Sequence, residues 1–171
     1  MSRIRLSLKS LLLLVAGVLT APPLFAQQYV AVNFPDASYT SVNGMDRNNA
    51  QVLVGDYMDS SGATQGFIHT GGSFLTLNYP GAAATVPQDV NDLGQVVGQY
   101  YDDNNISHGF LLSNGSFFTK DFPNVVSSYA GGINNAGQIV GGYTDNNGIR
   151  HGFLYSGGEF STLDVPGATG T

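Results

Sequence analysis

The chain has 171 residues, six Lys and Arg against twelve Asp and Glu, a formal charge of −6 and no cysteine. The missing thiols exclude disulfides, thiol catalysis, iron–sulfur clusters and Cys-ligated zinc. The acidic balance argues against nucleic acid as a partner, because that binding rests on basic patches that release counterions. The first 26 residues, MSRIRLSLKSLLLLVAGVLTAPPLFA, place Arg3, Arg5 and Lys9 ahead of an apolar run at 11–19 and end on the small Ala26. This pattern predicts a secretory signal peptide over 1–26. The run is too short for a spanning helix, which needs about 20 apolar residues, and no later stretch supplies one. Residues 27–171 are therefore expected to be one secreted or cell-surface domain with no membrane span. That domain keeps Arg47, Lys120 and Arg150 against all twelve carboxylates, a balance compatible with binding a cation or a neutral polymer without demanding either.

Residues 28–35, QYVAVNFP, read as a strand. They resemble SFLTLNYP at 73–80 and are followed by Asp36-Ala37 where later copies have Gly81-Ala82 or Gly167-Ala168. Beyond them the sequence repeats itself. GINNAGQIVGGYTDNNGIRHGFLY at 132–155 has a near copy, DVNDLGQVVGQYYDDNNISHGFLL, at 89–112. Gly55, Gly98 and Gly141 recur every 43 residues, as do Phe67, Phe110 and Phe153, and Pro80, Pro123 and Pro166. The units run approximately over 38–80, 81–123 and 124–166. A period between 40 and 50 with short apolar segments marks a propeller or another stacked array.

The last unit predicts four strands, at 126–133, 138–143, 151–155 and 159–165. Asn134-Asn135-Ala136-Gly137, Asp145-Asn146-Asn147-Gly148 and Ser156-Gly157-Gly158 link them, compositions that supply the positive φ of tight hairpins. Successive strands should be antiparallel neighbours. Ile139 and Val140 point to opposite faces, as do Phe153 and Leu154, so the sheet has apolar residues on both sides and must be covered on both. The expected fold is all-β: a propeller-like array of three four-stranded antiparallel blades of about 43 residues each, plus the extra N-terminal strand. A closed three-fold β-trefoil is the alternative, but its barrel strands bury one face only, and the two-sided pattern favours blades. Three blades do not surround a tight axis. An open arc exposes sides bearing residues such as Val52, Val54, Phe153 and Tyr155, so either self-association into a homo-oligomer or membership of a longer repeat array is expected.

The units GINNAGQIVGGY, HGFLY and TLDVPGA resemble the repeat of the bacterial HAF family of probable extracellular repeat proteins, over nearly all of 27–171. The family's His-Ala-Phe triplet is replaced by His108-Gly109-Phe110 and His151-Gly152-Phe153, and by Gln65-Gly66-Phe67 in the first unit. The resemblance implies an extracellular location and a repeat architecture, and it brings no catalytic residue.

Asp56-Tyr57-Met58-Asp59, Asp102-Asp103-Asn104-Asn105 and Asp145-Asn146-Asn147-Gly148 recur at one place in each unit. Oxygen-rich loops suit calcium, which makes Asp59, Asp102, Asp103 and Asp145 the metal candidates. Their spacing matches no EF-hand or nonapeptide repeat, and hairpin turns favour Asp and Asn on their own account, so a structural role is the preferred reading. His108 and His151 open the third strand just after these turns and are placed to tie the hairpin together; with His69 out of register, zinc has no ligand spacing. No nucleophile elbow is present. The sequence thus predicts a secreted, non-enzymatic repeat protein with no cofactor, a binding or structural scaffold for an extracellular ligand, glycan or protein. The alternative is a hydrolase or lyase acting on polysaccharide, with Asp102, Asp103 and Asp145 as acid and base.

Overall fold

Each turn expected from an Asn-, Asp- and Gly-rich linker reverses the chain between two strands. In the third unit, Gly137 takes the left-handed backbone the turn demands (φ 75°), and Asn134 Oδ1 accepts from the N–H groups of Ala136 and Gln138 at 3.0 Å each. The computed structural model describes residues 30–46, 48 and 51–171, so the signal peptide expected over 1–26 lies outside the described residues.

Twelve strands form three sheets among the described residues, with no helix. The first sheet is β1 (Tyr39–Met45), β2 (Leu53–Met58), β3 (Thr64–Thr70) and β4 (Ser73–Leu77). The second is β5 (Ala84–Val90), β6 (Val96–Tyr101), β7 (Ser107–Ser113) and β8 (Ser116–Thr119). The third is β9 (Ser127–Ile133), β10 (Ile139–Thr144), β11 (Arg150–Ser156) and β12 (Glu159–Leu163), within two residues of the expected boundaries. In each sheet the spatial order follows the chain order and every neighbour is antiparallel. The first strand of each sheet carries a bulge, at Asn43, Gln88 and Gly131, where the ladder skips one residue.

The sheets stack in chain order. β5 packs against β1, β2 and β3, and β9 packs against β5, β6 and β7. Among the described residues every ladder stays inside its own repeat, whereas a closed three-fold barrel pairs strands from different repeats.

Phe67, Phe110 and Phe153 are buried at the heart of the three sheets. Each meets an aromatic from the fourth strand edge-on: Phe74, Phe117 and Phe160, at 5.3–5.5 Å between centroids. Each also meets a ring from the segment preceding its sheet. Phe34 stacks on Tyr57 at 3.6 Å, Tyr79 on Tyr100 at 3.7 Å and Phe122 on Tyr143 at 4.0 Å.

That ring corrects the extra N-terminal strand. Gln28 and Tyr29 lie outside the described residues, and 30–35 joins no ladder. The backbone N–H of Phe34 donates to Thr40 Oγ1 at 3.0 Å, as Tyr79 does to Thr85, Phe122 to Ser128 and Val165 to Thr171. The segment around Phe34 is thus the first copy of the linker that leads into every sheet, turned by a bond from Ala37 N–H to Phe34 O. Strand-like composition forms no strand where the backbone is committed to a turn and the side chain to a core.

A second correction concerns the outer faces. Val54 and Phe153 are buried, and Val52 and Tyr155 are partly buried, all packed in the two core clusters that join consecutive sheets. The apolar residues that do face outward are others, described below.

Candidate functional site

The acidic turns are built around one carboxylate oxygen. Asp102 Oδ1 accepts from Asn104 N–H at 2.9 Å and Ile106 N–H at 2.8 Å, and Asp145 Oδ1 accepts from Asn147 and Ile149 at the same distances. Asp59 Oδ1 accepts from Ser61 N–H, Ser61 Oγ–H and Ala63 N–H. These bonds hold all three carboxyls below the usual Asp range. The first cause is the Ile106 amide for Asp102, the Ile149 amide for Asp145 and the Ser61 hydroxyl for Asp59. Asp103 lies exposed in the β6–β7 turn. Among the described residues no group of three or more His, Asp or Glu is placed to hold a metal ion.

The histidines tie the hairpin, through a partner that the sequence reading missed. His108 Nδ1 lies 2.6 Å from Asp121 Oδ2, and His151 Nδ1 lies 2.9 Å from Asp164 Oδ2; facing a carboxylate, the imidazole N–H is the donor. The turn carboxylates sit on the other side of each ring, with Asp102 3.8 Å and Asp145 3.6 Å from Nε2. Each ring also stacks on a tyrosine, Tyr100 at 5.0 Å and Tyr143 at 4.8 Å. Burial pushes the Tyr100 hydroxyl up to about 12, so it stays protonated beside the ring. The first sheet makes the same clamp without an imidazole: Gln65 donates to Asp59 Oδ2 at 3.1 Å and accepts from Asn78. The signal lay in the repeat. Where His becomes Gln65, the residue 13 positions on becomes Asn78 in place of Asp121 and Asp164.

A groove of about 500 Å3 opens between the second and third sheets, lined among others by Gln88, Gln99, Tyr101, Tyr129, Arg150 and His151. Its aromatic floor departs from the repeat. Tyr129 pairs across the ladder with Gly142, where the earlier sheets have Val86 with Gln99 and Ser41 with Asp56. A Cβ at Gly142 would fall 2.7 Å from Tyr129 Cε1, so the absence of a side chain lets the ring lie on the β10 backbone. Tyr129 remains 46% exposed. None of Asp59, Asp102, Asp103 and Asp145 lines this groove. What the units share does not point to Tyr129, because this is where the third unit differs from the other two. No family model matches the chain, and no curated protein matches it.

Proposed function

We propose that the protein is an extracellular binding scaffold whose groove between the second and third sheets takes a hydroxyl-rich polymer, a polysaccharide strand. The observation that carries this reading is Tyr129, laid flat and half-exposed over Gly142 among amide side chains. A sugar ring offers an apolar C–H face to stack on an aromatic and hydroxyls that both donate and accept. Gln88 and Gln99 supply both functions, and Arg150 donates only. A concave site with a few convergent polar groups is the usual form of a binding pocket. The resemblance to extracellular HAF-family repeats and the signal-like first 26 residues support the location.

A polysaccharide hydrolase working through two carboxyls needs one of them kept protonated as its acid. Asp102 and Asp145 are held in the opposite direction by their turns, which argues against either of them as that acid. Isothermal titration against a panel of soluble polysaccharides tests the proposal. Saturable binding is expected, weakened at least tenfold by Tyr129→Ala and unchanged by Phe118→Ala, an exposed ring on β8 outside the groove. Binding to no panel member removes the glycan reading. Release of shortened or unsaturated products, lost in Asp102→Asn or Asp145→Asn, replaces it with the enzyme.

A further inference from the structure

The repeat allows each surface to be compared with its own copy one sheet along. Val54 on β2 and Val97 on β6 are each 0% exposed, and each belongs to a core cluster shared with the following sheet. Val140, the same position on β10, is 48% exposed. Leu77 at the end of β4 is buried, while its third copy, Leu163, is 48% exposed. The opposite face shows the mirror of this. Pro87 and Val90 on β5, and Ala130 and Ile133 on β9, are buried. Their copies on β1, Val42 and Met45, are 44% and 59% exposed.

The contact between consecutive sheets is a close-approach socket. A Cβ on Gly66 would fall 2.9 Å from the Pro87 ring of the next sheet, and one on Gly109 would fall 3.2 Å from the Ala130 backbone N. Gly152 is the third copy of the socket, and the three atoms nearest its Cβ position all belong to Leu163 of its own sheet. A polar rung also joins the second and third sheets: Asn91 Nδ2 donates to Gln95 of its own turn at 2.7 Å and to the Asn134 carbonyl of the next sheet at 3.0 Å. Asn134 repeats the first of these bonds, to Gln138 at 2.7 Å. The third sheet therefore presents the socket and the apolar patch with which the chain twice receives a following sheet, and the amide with which it does so once. The first sheet presents the apolar knobs of Val42 and Met45.

We infer that the exposed face of the third sheet receives the exposed face of the first sheet of a second copy of this chain. The contact is head to tail, using different patches on the two copies. A sheet face that stays in water is ordinarily polar. Here both outer faces carry aliphatic side chains at the positions that are buried inside the stack. This inference does not depend on the groove or its ligand.

The full chain, as the producing cell leaves it, is examined by light scattering after size-exclusion chromatography at micromolar concentration. Wild type is expected at a mass of two copies or more. Val140→Lys and Val42→Lys are each expected to be monomeric with a wild-type circular dichroism spectrum, since both side chains are already half-exposed. Mixed together, these two variants should form a one-to-one complex, because each retains the half that the other lost. Leu163→Lys and Met45→Lys form a second pair should either of the first fail to fold. A monomeric wild type overturns the inference. So does association that survives both substitutions, dissociation by only one of them, which marks a same-patch contact, or mixed variants that stay apart.

Discussion

His151 has a proton affinity raised above its ordinary value, first by its hydrogen bond to Asp164 and also by Asp145. A group whose folded value is raised contributes stability that is fully present below its unfolded value, about 6.5 for His. That contribution is lost as pH rises through the folded value. Asp145 is shifted down, so its own contribution is lost only as pH falls into the acid range, outside this window. His151→Gln together with Asp164→Asn recreates the uncharged clamp that Gln65 and Asn78 already form in the first sheet. The melting temperature of wild type relative to this double variant should therefore fall as pH rises from about 6 through the raised value of His151. A difference that stays flat over this range would mean that the His151 clamp does not titrate there.

Within one sheet, the second strand is the element with the least freedom. Gly141 pairs with Ala130 on one side and Phe153 on the other. A Cβ there would strike the Tyr129 carbonyl and fall 2.7 Å and 2.8 Å from the Phe153 ring. Gly55 and Gly98 stand in the same relation to Phe67 and Phe110, at 3.0 Å and 2.8 Å. The buried ring lies over the strand because the strand has no side chain at that point. Gly141→Ala should cost at least the upper part of the overpacking range of about 1–3 kcal/mol, since one clash is with backbone that cannot rotate away. Gly137→Ala, in an open turn at positive φ, should cost only about 1–2 kcal/mol from the left-handed conformation. Urea titrations of both variants check the order, and a Gly141→Ala protein as stable as Gly137→Ala would contradict the packing account.

Across the whole stack, stability resides in the contacts between sheets as much as inside them. One core cluster joins Val54, Leu77, Val90 and Phe110 from the first and second sheets, and the other joins Val97 to Ala130, Ile139 and Phe153 in the third. The same substitution at the three copies of one position should therefore have two different outcomes. Val54→Ala and Val97→Ala each remove two buried carbons' worth of packing, about 2 kcal/mol with the cavity included. Val140→Ala, measured in dilute protein, should stay within about 0.5 kcal/mol of wild type, as surface changes do. Equal costs at all three positions would show that burial inside the sheet, not cover by the next one, sets the energy of this site.

The period of 43, the four strands of each unit and their turns were legible in the chain, because hairpins are local: Asn134 to Gly137 or Asp145 to Gly148 reverse the backbone whatever lies beyond. The alternation of Ile139 with Val140 correctly implied that each sheet is made to be covered twice. It could not show which sheets are so covered, since that depends on the number of neighbours present, and it assigned Val54 and Phe153 to the wrong side. The residues 30–35 look like a strand by composition. Whether such residues pair is decided by an available edge, and here the core's demand for the Phe34 ring and the bond to Thr40 determined the outcome. The partners of the histidines, Asp121 and Asp164, lie 13 residues away across a hairpin and a further strand, and the groove takes its floor from two strands and its walls from two sheets. Local propensity settles elements because neighbours in sequence already meet; sites of this kind need residues that meet only after the sheets have stacked.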